Sequence, residues 1–276
     1  MNIIQHAQTI DLAIFAGQSN MSGRGDAKTA IHWPPDAGFE YKAISNPTTL
    51  LPITEPFGLG EDRPGAISDY DSKGRSKRTG SMVSAAVSEY YALTGRPLIA
   101  VSASIGGSNT SGWLKVYVND AVERLDTAKE FLAKEQITPG KIFLIWCQGE
   151  SDGDAKMTAS AYITNTKAIF HAFQSHGVEK CFMVQIGHYN YLQFPQLNRG
   201  LTGRDWDLQY KIIRDAQAEL CRTEKDFILA GSFEPHMSHM KDAFHYHQTA
   251  YNIVGQSVGA SMGQFVTSCP STPSGQ

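Results

Sequence analysis

The sequence has no long apolar run and no excess of basic residues. Its longest apolar run, Ile142 to Cys147, is far shorter than the roughly 20 residues that a membrane-spanning helix needs. The 276 residues include 24 Lys and Arg against 27 Asp and Glu, a formal net charge of -3. Such a balance creates no positive field for phosphate backbones. We therefore expect neither a membrane span nor a nucleic-acid partner, and the oligomeric state stays open.

Cysteine is scarce as well. The four cysteines stand far apart, at positions 147, 181, 221 and 269, which is typical of free thiols rather than of a disulfide framework or a zinc ribbon. No Lys or Arg precedes Arg24, so the N-terminus lacks the positive segment of a secretory signal. We expect a cytoplasmic protein, with secretion as the alternative if a signal has been removed.

Short apolar runs alternate with longer segments in which apolar residues recur at a helical period. The predicted strands are 11–16, 97–103, 141–147, 180–186 and 226–230, and the predicted helices are 81–94, 117–135, 158–175, 208–222 and 248–262. None of these strands alternates apolar with polar residues, as is typical of strands that helices cover on both faces. The pattern predicts an α/β fold, a three-layer α/β/α sandwich around a five-stranded parallel sheet.

Two segments do not fit this alternation. Residues 32–80 are rich in Pro, Gly, Asp and Lys with little periodicity, which predicts a long loop excursion between the first strand and its helix. Such a loop can bind a ligand or simply cover the surface. Residues 267–276 are small and polar with two prolines, which predicts a disordered tail. We expect residues 1–266 to form a single domain.

Polar, glycine-rich segments follow three of the predicted strands: 17–23, 104–109 and 148–152. Ligands of an open parallel sheet bind at this edge, outside the carboxyl ends of the strands. The first segment is not a P-loop, because no lysine follows Gly23, and no G-x-G-x-x-G pattern is present for a dinucleotide. It is not a G-x-S-x-G elbow either, because Met21 occupies the position at which that motif requires its second glycine. We therefore expect no cofactor.

Ser19, in the first of these segments, is a candidate nucleophile. A serine hydroxyl needs a positioned base, usually a histidine that a carboxylate orients. Asp242 and His245 stand three residues apart before the last predicted helix, so one short segment can supply both groups. The alternative is that Ser19 is a turn residue and Asp242 a helix N-cap.

The other two segments offer donors for an oxyanion. Gly106 and Gly107 allow close approach to their backbone N–H groups, and Gln148 carries a side-chain amide. Because all three follow parallel strands, they are expected to converge on one carbonyl oxygen. Gly106 and Gly107 can equally well serve only to shape a turn.

Four segments together resemble the SGNH hydrolases, specifically their carbohydrate-acetylesterase branch, which includes sialic-acid-specific O-acetylesterases and acetylxylan esterases. The segments are AGQSNMSG at 16–23, SIGGSNTSGW at 104–113, WCQGESDG at 146–153 and DAFHYHQTAY at 242–251. The resemblance implies a flavodoxin-like SGNH fold and removal of O-acetyl groups from an acetylated sugar, sialic acid or xylan fragment through an acyl-serine intermediate. It implies these roles: nucleophile Ser19, base His245, orienter Asp242, oxyanion donors Ser19, Gly106 or Gly107 and Gln148, and supporting residues Gln18, Asn20 and Glu150.

One wall of the cleft is expected from Trp113 and the 32–80 excursion. The excursion leaves from the loop that carries Ser19, and Trp113 follows the glycine pair, so both emerge at the same edge of the sheet. An aromatic side chain there would stack on a sugar face. The alternative is that Trp113 only packs in the scaffold.

Three other functions stay open. A lipase or thioesterase of the same superfamily would share the nucleophile, and a carbohydrate-binding protein would share the fold without turnover. A zinc hydrolase could use the clustered histidines, which are His236, His239, His245 and His247. Their spacing fits no zinc signature such as H-E-x-x-H, so we expect no metal.

Overall fold

The computed structural model describes residues 9–63, 66–196 and 202–268. Its strands are β1 Asp11–Gly17, β2 Gly38–Lys42, β3 Asn46–Pro52, β4 Leu98–Ser104, β5 Ile142–Cys147, β6 Lys180–Gln185 and β7 Phe227–Ser232. Its α-helices are α1 Ser19–Ser22, α2 Val83–Thr94, α3 Thr110–Gly112, α4 Val118–Lys134, α5 Glu150–Asp154, α6 Ala159–Gln174, α7 Gly203–Thr223 and α8 Gln248–Ser268. All five predicted strands and all five predicted helices are present, and α7 and α8 are longer than expected.

The end of α8 overlaps the predicted tail. Thr267 and Ser268 form the last turn of this helix, so the tail predicted for 267–276 begins inside a helix. Its remaining residues, 269–276, lie outside the described part of the chain. Across the described ranges, no helix combines the length and the apolar character that crossing a membrane requires.

The sheet has seven strands in the order β3-β2-β4-β1-β5-β6-β7. All neighbours pair in parallel except β2 and β3, which are antiparallel. The predicted number of five strands is therefore wrong, because the 32–80 excursion contributes β2 and β3. β3 was not predicted from the sequence because this segment contains Pro47 and Pro52, and prolines are uncommon in strands. A strand at the sheet edge tolerates them, since one side of its backbone has no ladder to complete.

Alternate residues of the central strand enter two apolar cores. Ala13 and Phe15 of β1 belong to the core that α2 and α8 cover. Leu12 and Ile14 belong to the core under α4 and α6. Full burial of one such large side chain contributes about 1.5–3 kcal/mol. Burial on both faces explains why the strands do not alternate. The parallel pairing of β1 with β4 and with β5 places their carboxyl ends at one edge of the sheet.

A buried ion pair holds the excursion against this edge. Arg78 Nε lies 2.7 Å from Asp62 Oδ1, and both side chains are almost fully buried. The same guanidinium donates to Ser104 Oγ at 3.1 Å and to Ser104 O at 3.2 Å. Because Ser104 is the last residue of β4, the excursion is fixed beside the ends of the central strands.

Gly17 ends β1 in a conformation that favours glycine, with φ of +142°. A Cβ at this position would lie only 2.0 Å from the carbonyl oxygen of Cys147 in β5. The N–H of Gln18 donates to that same oxygen at 2.9 Å. The absence of a side chain thus lets β1 turn tightly against β5 just before Ser19.

Gly17→Ala is therefore expected to lower the free energy of unfolding by more than about 4 kcal/mol, because backbone must move to admit the methyl group. The control is Gly95→Ala, where φ is also positive at +65° but no atom lies within 4 Å of the added Cβ. Gly95→Ala should lower the free energy of unfolding by only about 1 kcal/mol. Urea unfolding followed by circular dichroism measures both, and equal losses would contradict the close contact with Cys147.

Candidate active site

A cleft of about 240 Å³ opens at the carboxyl edge of the sheet. It is lined by Gln18, Ser19, Arg24, Ser68, Lys77, Gly106, Gly107, Glu150, Ser151, Asp154, Phe244 and His245. These residues come from the segments after β1, β4 and β5, from the excursion and from the loop before α8. Folding thus brings residues from all four motif segments to one cleft.

Ser19, His245 and Asp242 form a continuous chain of hydrogen bonds. Ser19 Oγ lies 2.9 Å from His245 Nε2. His245 Nδ1 lies 3.1 Å and 3.0 Å from the two carboxylate oxygens of Asp242. Because Nδ1 faces a carboxylate, it holds the imidazole proton, and Nε2 is free to accept the proton of the Ser19 hydroxyl. This is the arrangement of a nucleophile, its base and the base's orienter.

Asp242 also shapes the loop in which it stands. Its Oδ1 accepts the backbone N–H of Phe244 at 2.8 Å and of His245 at 2.7 Å, a local turn that aspartate commonly makes. Burial acts to raise the pKa of Asp242, but the hydrogen bond and charge of His245 and the two N–H groups outweigh it. The pKa of the carboxyl is held well below its usual range, so Asp242 is ionised at neutral pH.

Asn20 connects the nucleophile turn to two other motif segments. Its Nδ2 donates to Glu150 Oε1 at 2.6 Å and to the carbonyl of Phe244, next to His245, at 3.1 Å. Its Oδ1 accepts from the Tyr251 hydroxyl at 2.7 Å. The side chain is almost completely buried. Asn20 therefore fixes the distance between the turn of Ser19 and the loop of His245.

Glu150 lies at the cleft but is 4% exposed. Its Oε1 accepts from Asn20, and no described residue donates to its buried Oε2. Burial raises the pKa of Glu150 to about 7; the hydrogen bond from Asn20 opposes this rise, and the charges of Asp154 and Asp152 add to it. The cleft thus holds a carboxyl group that titrates near neutral pH.

Glu150→Gln is expected to remove a pH-dependent cost of folding. The folded-state pKa of about 7 lies above the ordinary value of 4.5, so between these values the folded protein binds more protons than the unfolded chain. Stability therefore falls as the pH rises through this window. The variant keeps an acceptor for Asn20 and carries no charge, so it should gain up to about 3 kcal/mol on the wild type across the window.

Urea unfolding at about pH 5 and at about pH 8 measures the free energy of unfolding of both proteins. Most of the titration of Glu150 falls between these two pH values. The matched control is Glu123→Gln, a change at an exposed position of α4, which should show the pH dependence of the wild type. If Glu150→Gln also keeps that pH dependence, the burial of Glu150 does not set its titration.

The two glycines differ in what their N–H groups contact. The N–H of Gly106 donates to the Asp69 carboxylate at 2.7 Å, so it is already used. Gly107 has a positive φ of +69°, is exposed and lines the cleft. No described residue accepts a hydrogen bond from the Gly107 N–H. Of the predicted pair, Gly107 is the one whose N–H is open to a ligand.

Gln148 does not border the cleft. It is completely buried, and its Nε2 donates to the Asp152 carboxylate, to Ser108 O at 3.0 Å and to Gln18 Oε1 at 3.3 Å. The prediction that its amide faces an oxyanion is wrong in this geometry. The reason is Asp152, whose buried carboxylate attracts the amide away from the cleft.

The clustered histidines do not form a metal centre. His245 contacts Ser19 and Asp242, and the rings of His236 and His239 have centroids 5.8 Å apart. Within the ranges that the structure describes, no group of three or more His, Cys, Asp or Glu side chains is placed to hold a metal ion.

A family model described as a carbohydrate esterase, sialic acid-specific acetylesterase, matches residues 9–264. The chain belongs to this family. The match confirms the resemblance to carbohydrate acetylesterases, and the coarser prediction of a carbohydrate esterase follows from it. No curated protein matches the chain.

Two solved structures are similar to this carbohydrate esterase. A protein from Arabidopsis thaliana has a TM-score of 0.60 at 17% identity, over 94% of this chain and 98% of that chain. A carbohydrate acetylesterase from Xanthomonas citri has a TM-score of 0.55 at 14% identity, over 94% of this chain and 57% of that chain. At these identities the similarity shows the fold alone.

Trp113 does not reach the cleft of this carbohydrate esterase, and the prediction that it forms a substrate wall is wrong. The side chain is completely buried. Its Nε1 donates to Ser108 Oγ at 2.8 Å, and its ring packs edge-on against Trp146 with centroids 4.8 Å apart. Trp113 packs in the scaffold instead, which was the alternative interpretation of this residue. The wall on the side of the excursion comes from Ser68 and Lys77 instead.

Sequence reasoning missed Asp69 entirely. This completely buried residue lies in the excursion, and its carboxylate accepts from the Gly106 N–H at 2.7 Å and from Arg24 Nη2 at 2.9 Å. It therefore ties the loop after the nucleophile to the glycine turn. No periodicity in 32–80 pointed to it, whereas Arg24 directly follows the first motif segment and could have been noticed there.

Proposed function

We propose that the chain is a serine esterase that removes O-acetyl groups from a carbohydrate through an acyl-serine intermediate. The observation that carries the proposal is the contact of Ser19 Oγ with His245 Nε2 at 2.9 Å, continued by the contact of His245 Nδ1 with Asp242 Oδ2 at 3.0 Å. A serine in such a chain is activated for attack on a carbonyl carbon. Membership of the carbohydrate esterase family supports the same class of reaction.

In the first half-reaction, Ser19 Oγ attacks the acetyl carbonyl carbon while His245 Nε2 takes the hydroxyl proton. The carbonyl oxygen becomes an oxyanion, and the N–H groups of Ser19 and Gly107 are backbone donors at the cleft that can stabilise it. The intermediate collapses when the bond from the carbonyl carbon to the sugar oxygen breaks. His245 gives its proton to that oxygen, so the sugar leaves with a free hydroxyl and the acetyl group stays on Ser19.

In the second half-reaction, water takes the place of the sugar. His245 removes a proton from the water as its oxygen attacks the acyl carbon, and then returns that proton to Ser19 Oγ as acetate leaves. The ionised Asp242 accepts a hydrogen bond from Nδ1–H throughout and does not itself take up the proton. It keeps Nε2 directed at Ser19 and stabilises the imidazolium that forms in each half-reaction.

The cleft favours a short acyl group on a polar alcohol. Among its lining residues in the described ranges, Phe244 is the one large apolar side chain, and the others are polar, charged or glycine. A long acyl chain needs a continuous apolar channel. The volume of about 240 Å³ suits an acetyl group with part of a sugar ring. This composition argues against the lipase and thioesterase alternative.

The test is acetate release from acetylated sialic acid, acetylated xylan fragments and acetylated monosaccharides, each with Ser19→Ala as the control. The proposal expects release from at least one of them, lost in the variant. Binding of the sugar without any acetate release would indicate the non-catalytic alternative. Faster hydrolysis of p-nitrophenyl octanoate than of p-nitrophenyl acetate would favour the lipase alternative.

A further inference from the structure

Asp154, the last residue of α5, uses one of its two carboxylate oxygens within the protein. Its Oδ1 accepts from Trp206 Nε1 at 2.9 Å and from the Tyr210 hydroxyl at 2.8 Å. Among the described residues, none donates to Oδ2. The side chain is exposed and lines the cleft. Because two donors orient the carboxylate through Oδ1, Oδ2 is left available to a ligand in the cleft.

Both donors are held in place by α7. Trp206 and Tyr210 stand four residues apart on this helix and therefore lie on the same face. A capping box of Thr202 and Asp205 fixes the start of the helix one turn away. Tyr210 is completely buried, and Lys156 Nζ lies over the ring of Trp206, 6.0 Å from its centroid. The carboxylate that these donors contact is thus oriented before any ligand binds.

Asp154 lies on the side of the cleft where the sugar must bind. In the proposed reaction His245 Nε2 protonates the departing sugar oxygen, so the sugar has to lie beside this histidine. Phe244, its neighbour, lines the same cleft. The ring of Phe244 lies 5.7 Å from that of Tyr189, which lies 6.3 Å from the ring of Tyr210, the donor to Asp154. A continuous aromatic wall therefore connects His245 with Asp154.

Of the two carboxylates that line the cleft, Asp154 is the one that a sugar can reach. Glu150 is 4% exposed, and its Oε1 already accepts from Asn20. Arg24 and Lys77 also line the cleft, but their charged groups can only donate. A sugar hydroxyl is a good donor, and its hydrogen bond to a charged acceptor is stronger than one to a neutral acceptor.

We infer that Asp154 is a specificity-determining residue that accepts a hydrogen bond from a free hydroxyl of the acetylated sugar, and that Trp206 and Tyr210 are its positioning residues. The inference rests on the proposed serine esterase function. It narrows the substrates to sugars that keep a free hydroxyl near the ester. A fully acetylated sugar would cover Oδ2 without offering a donor, and a site built to accept a hydrogen bond disfavours such a substrate.

The first test needs no variant. Acetate release by the wild type is compared on monoacetylated methyl xyloside, which keeps two free hydroxyls, and on fully acetylated methyl xyloside, which has none. The value of kcat/KM should be at least about tenfold higher for the monoacetylated sugar. Absence of this preference overturns the inference.

Asp154→Asn tests whether this residue is the cause of the preference. Asparagine keeps an oxygen for Trp206 and Tyr210 but carries an uncharged amide in place of Oδ2. For monoacetylated methyl xyloside, kcat/KM should fall by about 10–100-fold more than for p-nitrophenyl acetate, whose leaving group has no additional hydroxyl. The preference over the fully acetylated sugar should shrink to the same extent.

The matched control is Asp215→Asn, which removes the same charge at an exposed position of α7 and should keep the wild-type preference. A folded Asp154→Asn enzyme that loses activity equally on the sugar and on p-nitrophenyl acetate overturns the inference, because Asp154 would then shape the catalytic centre. A variant that loses no activity on the sugar overturns it as well.

Trp206→Phe tests the positioning role. Phenylalanine keeps an aromatic ring on α7 and removes the Nε1–H that orients Asp154. Because Trp206 acts through Asp154, the single variant should lose activity on the monoacetylated sugar, but it should add less than about twofold to the loss of Asp154→Asn. Fully additive losses would show that Trp206 acts independently and overturn its positioning role.

The outcomes also distinguish this inference from the proposed function. Wild-type protein without esterase activity, or with activity that survives Ser19→Ala, means that the serine esterase proposal has failed. An active wild type that depends on Ser19, but whose preference among sugars does not depend on Asp154, means that only the specificity assignment has failed.

Discussion

Replacing Ser19 with alanine is expected to lower kcat/KM for p-nitrophenyl acetate by at least about 10⁴-fold. The variant loses the atom that attacks the carbonyl carbon, and no other hydroxyl lies within hydrogen-bond distance of His245 Nε2 in the described part of the chain. The fold should survive, because the one hydrogen bond of Ser19 Oγ to a described residue is to that imidazole nitrogen. The thermal unfolding midpoint should therefore stay close to that of the wild type.

The matched control is Ser257→Ala, on the exposed side of α8, which should keep full activity. Inactivation by a serine-directed organophosphonate should place one label on Ser19, identified by peptide mass spectrometry, and the alanine variant should take up none. A label on another residue, or hydrolysis within tenfold of the wild type by Ser19→Ala, would show that a different nucleophile acts.

The sequence predicted the central sheet well, because burial on both faces leaves a strong local signal. The β1, β4, β5, β6 and β7 segments are short apolar runs between helical segments, and each forms a strand close to its predicted ends. β2 and β3 were missed because their stability comes from neighbours. β2 pairs with β4, which is distant in sequence, and β3 is an edge strand in which prolines are tolerated.

Prediction of the site succeeded where function depends on residue type and short spacing. The three-residue separation of Asp242 and His245 is sufficient for the turn that joins them. It failed where the direction of a side chain depends on distant partners. Gln148 contacts Asp152 and Trp113 contacts Ser108, and both contacts turn the side chain into the protein. A residue type at a strand end predicts proximity to the cleft, whereas orientation follows from competition among buried polar groups.

The same need of buried polar groups for partners explains the hydrogen bond between Asn20 and Glu150. A buried carboxylate needs a donor, and Asn20 Nδ2 supplies one to Glu150 at 2.6 Å. The same amide contacts the loop of His245 through the carbonyl of Phe244. The stability of the buried carboxylate and the geometry of the site thus both depend on the Asn20 side chain.

Asp242→Asn is expected to reduce kcat by about 10³–10⁴-fold while leaving the protein folded. Asparagine keeps an oxygen for the N–H groups of Phe244 and His245, so the turn can form. It offers no charged oxygen to accept the hydrogen bond of Nδ1–H or to stabilise the imidazolium, and its own N–H favours the tautomer in which Nε2 carries the proton. His245 would then be unable to accept the proton of Ser19.

The pH profile adds a second criterion, because the pKa of Asp242 lies well below its usual range. Asp242 is then ionised throughout the working range, so the variant should lose activity at every pH from about 6 to 9 rather than at the acid end alone. Asp215→Asn, at an exposed position of α7, is the control and should keep its activity. A loss of less than tenfold for Asp242→Asn would mean that this carboxylate serves only to shape the loop, and that His245 is oriented by its backbone.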